Sequence, residues 1–252
     1  MVSGLSSEKR IPGLSGAIIA AGRGERLRPA SDGVPKPLVE LGGEPLIVRQ
    51  ARALAALGAR PVHAIINSET AGIIRDRALS MPPDLEICVR DTANSMESLL
   101  TLGERLAPGR FLMTTVDAFI PPAELAGFLK HALAQADPAG PDALDGVLGV
   151  VKWRGDRHPL FAEVASDGTI CRLGGHQARL VTAGVYLLST RIFALGDKAR
   201  SAGLSALRQF LALLIDEGMR FAAFELTGAI DIDEAADLDA ARALLPNHSG
   251  RP

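Results

Sequence analysis

Apolar positions along the first 142 residues fall into alternating short and long rhythms. Residues 15–20 form a short apolar run stopped by Gly22 and Gly24, which suits a buried strand. Across residues 45–57, Leu46, Ile47, Ala51, Leu54 and Leu57 recur at helical spacing, and Gly58 is placed to close that helix. Strands are expected at 61–66, 85–89 and 110–116. Helices are expected at 69–79, at 95–106 and after Pro121-Pro122, proline being favoured in a first helical turn. Asn94 and Glu97 read as a capping box opening the helix at 95. Residues 25–43, rich in charge, Pro and Gly, read as a long ordered loop, a feature usually tied to function. This βαβαβαβα order predicts a right-handed, doubly wound, largely parallel sheet.

After about residue 143 the rhythm changes. Residues 147–153, 160–165 and 169–173 are strand-like, with Asp167-Gly168 as a hairpin turn, and 181–188 is a further strand followed by a helix capped by Ser189. A helix at 204–217, strands at 221–226 and 229–232, and a last amphipathic helix at 234–244 complete the pattern. The expected fold is α/β, a three-layer α/β/α arrangement whose mixed, mostly parallel sheet carries a β-rich second half. Residues 1–14 read as a polar arm and 246–252 as a tail. Residues 15–245 read as one domain in two halves, 15–142 and 143–245.

Composition narrows the class. Of 252 residues, 47% are hydrophobic and 22% charged, which fits neither a disordered chain nor a membrane protein. The formal net charge of −2 provides no basic field for nucleic acid. Two cysteines, Cys88 and Cys171, exclude a disulfide scaffold or a cysteine-rich zinc site. No run approaches the length of a membrane span, and the start has no apolar segment of signal-peptide length, so a cytoplasmic location is expected.

The segment that carries chemistry is GAIIAAGRGERLRP, residues 16–29, followed by PKPLVELGGEPLI, residues 35–47. A strand feeding a glycine turn lets backbone N–H groups approach an anion at Gly22 and Gly24, although an ordinary tight turn has the same pattern. A dinucleotide fingerprint needs a third glycine where Leu27 stands, and no Gly-Lys-Ser/Thr triplet provides a Walker A loop. What remains is two cations around the turn. Arg26 offers a planar fork for phosphate oxygens, and Lys36 is a point charge held between two prolines. That pairing suits a triphosphate better than a dinucleotide.

These residues resemble the signature of the sugar-phosphate and molybdopterin-guanine nucleotidyltransferase superfamily. The elements are Ala20-Ala21-Gly22-x-Gly24-x-Arg26-Leu27-x-Pro29, Pro35-Lys36-Pro37-Leu38 and Gly43-x-Pro45-Leu46-Ile47. Thr182 to Tyr186 is similar to the family's strand after the acceptor-site hairpin, and Ile230-Asp231-Ile232-Asp233 to its C-terminal metal-binding stretch. The Leu27-x-Pro29 and Pro35-Lys36-Pro37 pattern departs from the molybdopterin branch. The resemblance implies nucleotidyl transfer from an NTP to a small phosphorylated acceptor, with 15–142 as the nucleotide-binding half and 143–245 as the acceptor-binding half; from charge and hydropathy no nucleic-acid or membrane partner is expected. It implies Arg26 and Lys36 as catalytic cations, Ala20, Ala21, Gly22 and Gly24 as nucleotide-binding residues, and Mg²⁺ held by Asp117 and Asp231.

Magnesium takes one or two carboxylates and fills its other positions with water and phosphate oxygens. Asp117 is expected at the end of a strand, where open α/β sheets bind ligands, though a turn or capping Asp would look the same. Val116 precedes it where the family usually has glycine. Asp233 reads as the N-cap of the final helix, leaving Asp231 as the better metal ligand. Residues 91–99 lie where family members contact base and ribose, and resemble the Asn…Ser-Leu version found in cytidylyltransferases of alcohol phosphates. Asn94 and Ser95 are therefore expected at the nucleotide, with simple helix capping as the alternative. That version favours CTP, then UTP. On the acceptor side, His176 stands where relatives place a Glu-Lys-Pro lysine, and Lys152 and Gly184 are further candidates. Only one Trp and one Tyr occur, Trp153 and Tyr186, which disfavours an aromatic cage for phosphocholine. The competing reading is a non-catalytic nucleotide-sugar-binding or regulatory domain of the same fold.

Overall fold

The computed structural model describes residues 10–135, 143–155, 159–175 and 178–245. Thirteen strands and seven α-helices follow one another among them. β1 (Leu14–Ala20) leads through a loop to the short hairpin β2 (Glu40–Leu41) and β3 (Glu44–Pro45). Then come α1 (Leu46–Ala56), β4 (Val62–Ile66), α2 (Ser68–Asp76), β5 (Leu85–Val89), α3 (Ser95–Gly103), β6 (Arg110–Thr115), β7 (Ala118–Phe119) and α4 (Pro122–Gln135). The second half runs β8 (Gly146–Lys152), β9 (Phe161–Val164), β10 (Ile170–Leu173), β11 (Leu180–Ser189), α5 (Gly196–Ser201), α6 (Leu207–Asp216), β12 (Phe221–Glu225), β13 (Ile230–Asp231) and α7 (Ala235–Ala243).

One nine-stranded sheet threads both halves, in the order β10-β9-β11-β6-β1-β4-β5, with β8 beside β11 and β12 beside β8. The β6-β1-β4-β5 half is parallel. β11 then runs antiparallel to β6, β8 and β9, and β12 lies parallel to β8. Because β11 reverses direction, its N-terminal end lies at the same sheet edge as the C-terminal ends of β1, β6 and β8. Every residue of β1 is buried, as a strand covered on both faces requires. One face packs Leu46, Ile47, Leu54, Phe128 and Leu238 from α1, α4 and α7. The other packs Met96, Leu99, Phe210 and Leu214 from α3 and α6 against Phe111. The result is the three-layer α/β/α arrangement that the pattern predicted.

The structure refines several local readings. The long loop before residue 43 is built from two 3₁₀ turns, Arg28–Ser31 and Lys36–Leu38, and ends in the β2–β3 hairpin. Asn94 does cap α3, accepting from the Glu97 N–H at 3.0 Å, but the other half of the capping box is absent. The Glu97 carboxylate turns instead to the Arg200 guanidinium at 3.0 Å, because a full charge there is a stronger partner than a backbone amide. Asp233 is not the cap of the final helix. Glu234 occupies the cap position, and the Asp237 carboxylate accepts from the N–H groups of Asp233 and Glu234 at 3.0 and 2.7 Å. The Asp233 side chain is thereby left for longer-range partners.

Candidate active site

β1 delivers Ala20 and Ala21 to the sheet edge, and the chain turns through Gly22 and Gly24. Asn67, buried at the end of β4, donates from Nδ2 to the Ala21 carbonyl at 3.2 Å while its Oδ1 accepts from the Thr70 N–H at 2.8 Å. One side chain thus ties the glycine turn to the first turn of α2. Gly24 takes φ +59°, and a Cβ built there would lie 2.7 Å from the Lys36 Cβ. The glycine is needed for both reasons, left-handed backbone and close approach. It lets the turn press against the segment that carries Lys36.

Lys36 is buried, with 9% of its side chain exposed. Its Nζ donates to Asp117 Oδ2 at 2.9 Å and to Asp233 Oδ1 at 2.7 Å. Burial alone would lower the pKa of the ammonium, but the two carboxylates outweigh it and the pKa is raised. Arg26, half exposed, places Nη2 2.7 Å from Asp233 Oδ2. Asp233 therefore bridges both cations, one per oxygen.

Asp117 lies two residues beyond β6. The Val116 N–H still donates to the Ile19 carbonyl at 3.1 Å, so β1 holds the segment up to the carboxylate. Asp231 arrives from the far end of the chain on β13, which pairs antiparallel with β7 so that Asp231 faces Ala118. Carboxylate oxygens of Asp117, Asp231 and Asp233 lie within 4.8 Å of one another. Asp231 keeps one side open to solvent. The protein packed around its carboxyl, then the charges of Asp117 and Asp233, push its pKa up to about 7.

Three carboxylates drawn together against their mutual repulsion fit a divalent cation. Oxygens on opposite sides of a Mg²⁺ ion are about 4.2 Å apart, given bonds of about 2.1 Å, so small side-chain rotations would bring this set into range.

The nucleotide-side residues divide. Asn94 caps α3 through Oδ1. The Ser95 hydroxyl accepts from the Leu207 N–H at 2.9 Å, fastening α3 to α6, so a structural task is already assigned to it. On the acceptor side, Gly184 takes φ +71° on β11, and a Cβ there would meet Thr115 Oγ1 at 2.6 Å and Ala118 Cβ at 2.7 Å. It thus lies against the loop of Asp117. Lys152 is exposed at the end of β8, 3.5 Å from the Glu225 carboxylate. Both line a groove of about 680 Å³ with Trp153, Phe161, Arg179 and Leu180, at the same sheet edge as the carboxylates. His176 lies outside the described residues.

Sequence reasoning missed two side chains that organise this site. Asn67 carries only the ordinary signal of a helix cap. Gln50, an amide on the otherwise apolar face of α1, is the more legible one; its Nε2 donates to the Ala118 carbonyl at 2.5 Å.

An α/β sheet with a glycine turn, two cations and three carboxylates at its carboxyl edge defines a domain of the nucleotidyltransferase class. The chain matches the family model described as the MobA-like NTP transferase domain over residues 16–185, and it belongs to that family. A mannose-1-phosphate guanyltransferase of Kluyveromyces lactis is 46% identical over 54 residues, 21% of this chain. That shared stretch spans only 15% of the relative's length. Among solved structures, the inositol-1-phosphate CTP transferase from T. maritima superposes with a TM-score of 0.72 at 19% identity, covering 94% of this chain and 99% of that one. The CTP:phosphocholine cytidylyltransferase from Streptococcus pneumoniae gives 0.68 at 20% identity, covering 92% and 99%. Among the described residues, no helix is long and apolar enough to cross a membrane.

Proposed function

We propose that this protein transfers a nucleotidyl group from an NTP to a small phosphomonoester and releases pyrophosphate. The observation that carries the reading is the cluster of Lys36, Asp117, Asp231 and Asp233 beside the glycine turn, at the carboxyl edge of a parallel sheet. Asp117 and Asp231 would hold Mg²⁺, with Asp233 a third carboxylate in reach. When bound, the ion neutralises charge on phosphate oxygens. An oxygen of the acceptor phosphate attacks the α-phosphorus in line. That phosphate is already ionised near pH 7, so no general base is required. Backbone N–H groups at Gly22 and Gly24 cradle the NTP phosphates, Arg26 neutralises the leaving pyrophosphate, and Lys36 bridges the α-phosphate and the incoming group. Both cations are held by Asp233 in this structure, so substrate binding exchanges a carboxylate partner for phosphate oxygens.

For the base, the segment around Asn94 favours CTP ahead of UTP. The stretch shared with guanyltransferases makes GTP the competitor to include. For the acceptor, the groove beside Lys152 offers an exposed Trp153 ring set edge-on to Phe161, with Glu225 next to them. A flat apolar face rimmed by charge suits the C–H face of a sugar or cyclic polyol whose hydroxyls meet Lys152 and Glu225, so a sugar 1-phosphate or polyol phosphate is favoured. Phe161 supplies a second ring that a count of Trp and Tyr alone overlooks, so phosphocholine belongs in the panel.

The test is pyrophosphate release with Mg²⁺, each of the four NTPs and a panel of phosphomonoesters. Release should require an acceptor and fall by about 10²-fold or more in Arg26→Ala and in Asp117→Asn, the usual scale of lost electrostatic stabilisation. Near-normal turnover in both variants would sink the assignment. Nucleotide binding without turnover on any acceptor would favour the non-catalytic binding domain.

A further inference from the structure

We propose that Gln50 is a positioning residue that sets the spacing of Asp117 and Asp231, and with it the affinity for the divalent ion; the inference rests on the metal reading above. Gln50 sits on the buried face of α1 among Leu46, Ile47, Ala51 and Leu54, only 7% exposed. An amide in such surroundings is costly unless it is hydrogen-bonded. Among the described residues its side chain makes one hydrogen bond, from Nε2 to the carbonyl of Ala118, the residue after Asp117.

That carbonyl belongs to a weak element. β7 and β13 have two residues each, and Asp231 pairs with Ala118 across them. The Ile232 N–H adds one more bond, to the Asp117 carbonyl at 3.0 Å. A two-stranded ribbon this short does not hold its own shape. It must nevertheless keep carboxylates within 4.8 Å of one another against like-charge repulsion. Ala118 meets β11 at Gly184, where there is no room for a Cβ. The carbonyl of the same residue is held by the Gln50 amide. Ala118 is thus held both by a glycine that lets β11 come close and by an amide that pulls its carbonyl toward α1. Release of the amide frees the ribbon to open and the carboxylates to separate.

The test uses the full chain and Mn²⁺ as the probe, followed by its paramagnetic resonance signal without nucleotide. Gln50→Met keeps the length and the apolar contacts but loses the donor; Gln50→Asn keeps an amide one methylene too short. Leu54→Ala, one turn along the same helix, serves as the comparison for general destabilisation. Mn²⁺ affinity should fall about tenfold or more in both Gln50 variants, the usual scale for a group that orients a ligand, and stay within about twofold in Leu54→Ala. In parallel, the Mg²⁺ concentration for half-maximal pyrophosphate release should rise by a similar factor, with kcat at saturating Mg²⁺ little changed. A wild type that binds Mn²⁺ alongside Gln50 variants of equal affinity overturns the role of Gln50 and leaves the metal reading standing. A wild type that does not bind Mn²⁺ overturns the metal reading and this inference with it.

Discussion

Replacement of Lys36 by methionine keeps the stem and removes the charge from the centre of the cluster. The Lys36 side chain is 9% exposed and its ammonium is bonded to Asp117 at 2.9 Å and Asp233 at 2.7 Å, with Asp231 in the same group. Without it, three carboxylates face each other with Arg26, half exposed, as the one cation among the described residues still paired with them. Breaking a buried ion pair from one side costs about 3–5 kcal/mol. Asp117 and Asp233 keep 23% and 22% of their side chains exposed, so solvent screens part of the loss. A cost of about 2–3 kcal/mol is reasonable after that discount. For a chain of this size, each kcal/mol shifts Tm by about 2–4 °C, so a drop of about 4–12 °C is expected. The measurement is thermal unfolding at pH 8 in EDTA, repeated with excess Mg²⁺. The ion replaces the missing positive charge, so the deficit should shrink to less than half. Lys152→Met, at an exposed strand end, should change stability by no more than about 0.5 kcal/mol. A Lys36→Met variant within about 1 °C of wild type in EDTA, or a deficit that Mg²⁺ leaves untouched, would refute the reasoning.

Gly24→Ala forces a Cβ into a left-handed residue and to 2.7 Å from the Lys36 Cβ. It should cost about 1–3 kcal/mol in urea unfolding and lower turnover at least tenfold by displacing Lys36. Asp231→Asn tests the repulsion directly. The carboxyl's pKa is pushed from 3.8 up to about 7 by the protein around it and by Asp117 and Asp233. Between those values the folded state keeps a proton that the unfolded state has lost, so this site's contribution to stability falls as pH rises through that window. Urea midpoints of Asp231→Asn should show a shallower fall from pH 4 to 7 and lie above wild type at pH 8 in EDTA. With Mg²⁺ the order should reverse, and an unchanged pH profile would count against the cluster.

Most of the sheet was legible because its strands are short apolar runs between Gly, Pro and charged turns. The strand at 85–89 agrees at both ends with the one observed, and the others differ by a residue or two. What stayed hidden is the structure too short to have a period. β7 is two residues long, and its partner arrives more than a hundred residues later. The capping readings fell short twice, at Glu97, which does not complete the box that Asn94 opens, and at Asp233, which caps nothing. At Asn94–Glu97 and at Asp233 the local pattern was a cap, but a charged partner distant in sequence took the carboxylate. Gln50 shows the opposite case. A lone amide on an apolar helix face already asks which carbonyl it serves, and only the strand order supplies Ala118 as the answer.

The placement of Asp233 also explains how the site survives without substrate. Asp233 lies 197 positions from Lys36, yet its two oxygens hold both cations that the glycine loop contributes. Three carboxylates against Lys36 and Arg26 leave the cluster with a formal charge of −1, and a proton at Asp231, whose pKa is pushed up to about 7, cancels it as pH falls below neutral. A divalent ion that displaces that proton turns the cluster to +1, a sign suited to receiving phosphate oxygens. Were Asp233 to share that ion as the third carboxylate in reach, its hold on Arg26 and Lys36 would weaken, because a carboxylate shared with a divalent ion is a poorer partner for either cation. On that reading, metal entry and release of the two cations toward an anionic ligand would be one electrostatic event. Affinity for Mg²⁺ and affinity for the NTP should therefore rise together, each raising the other by the same factor.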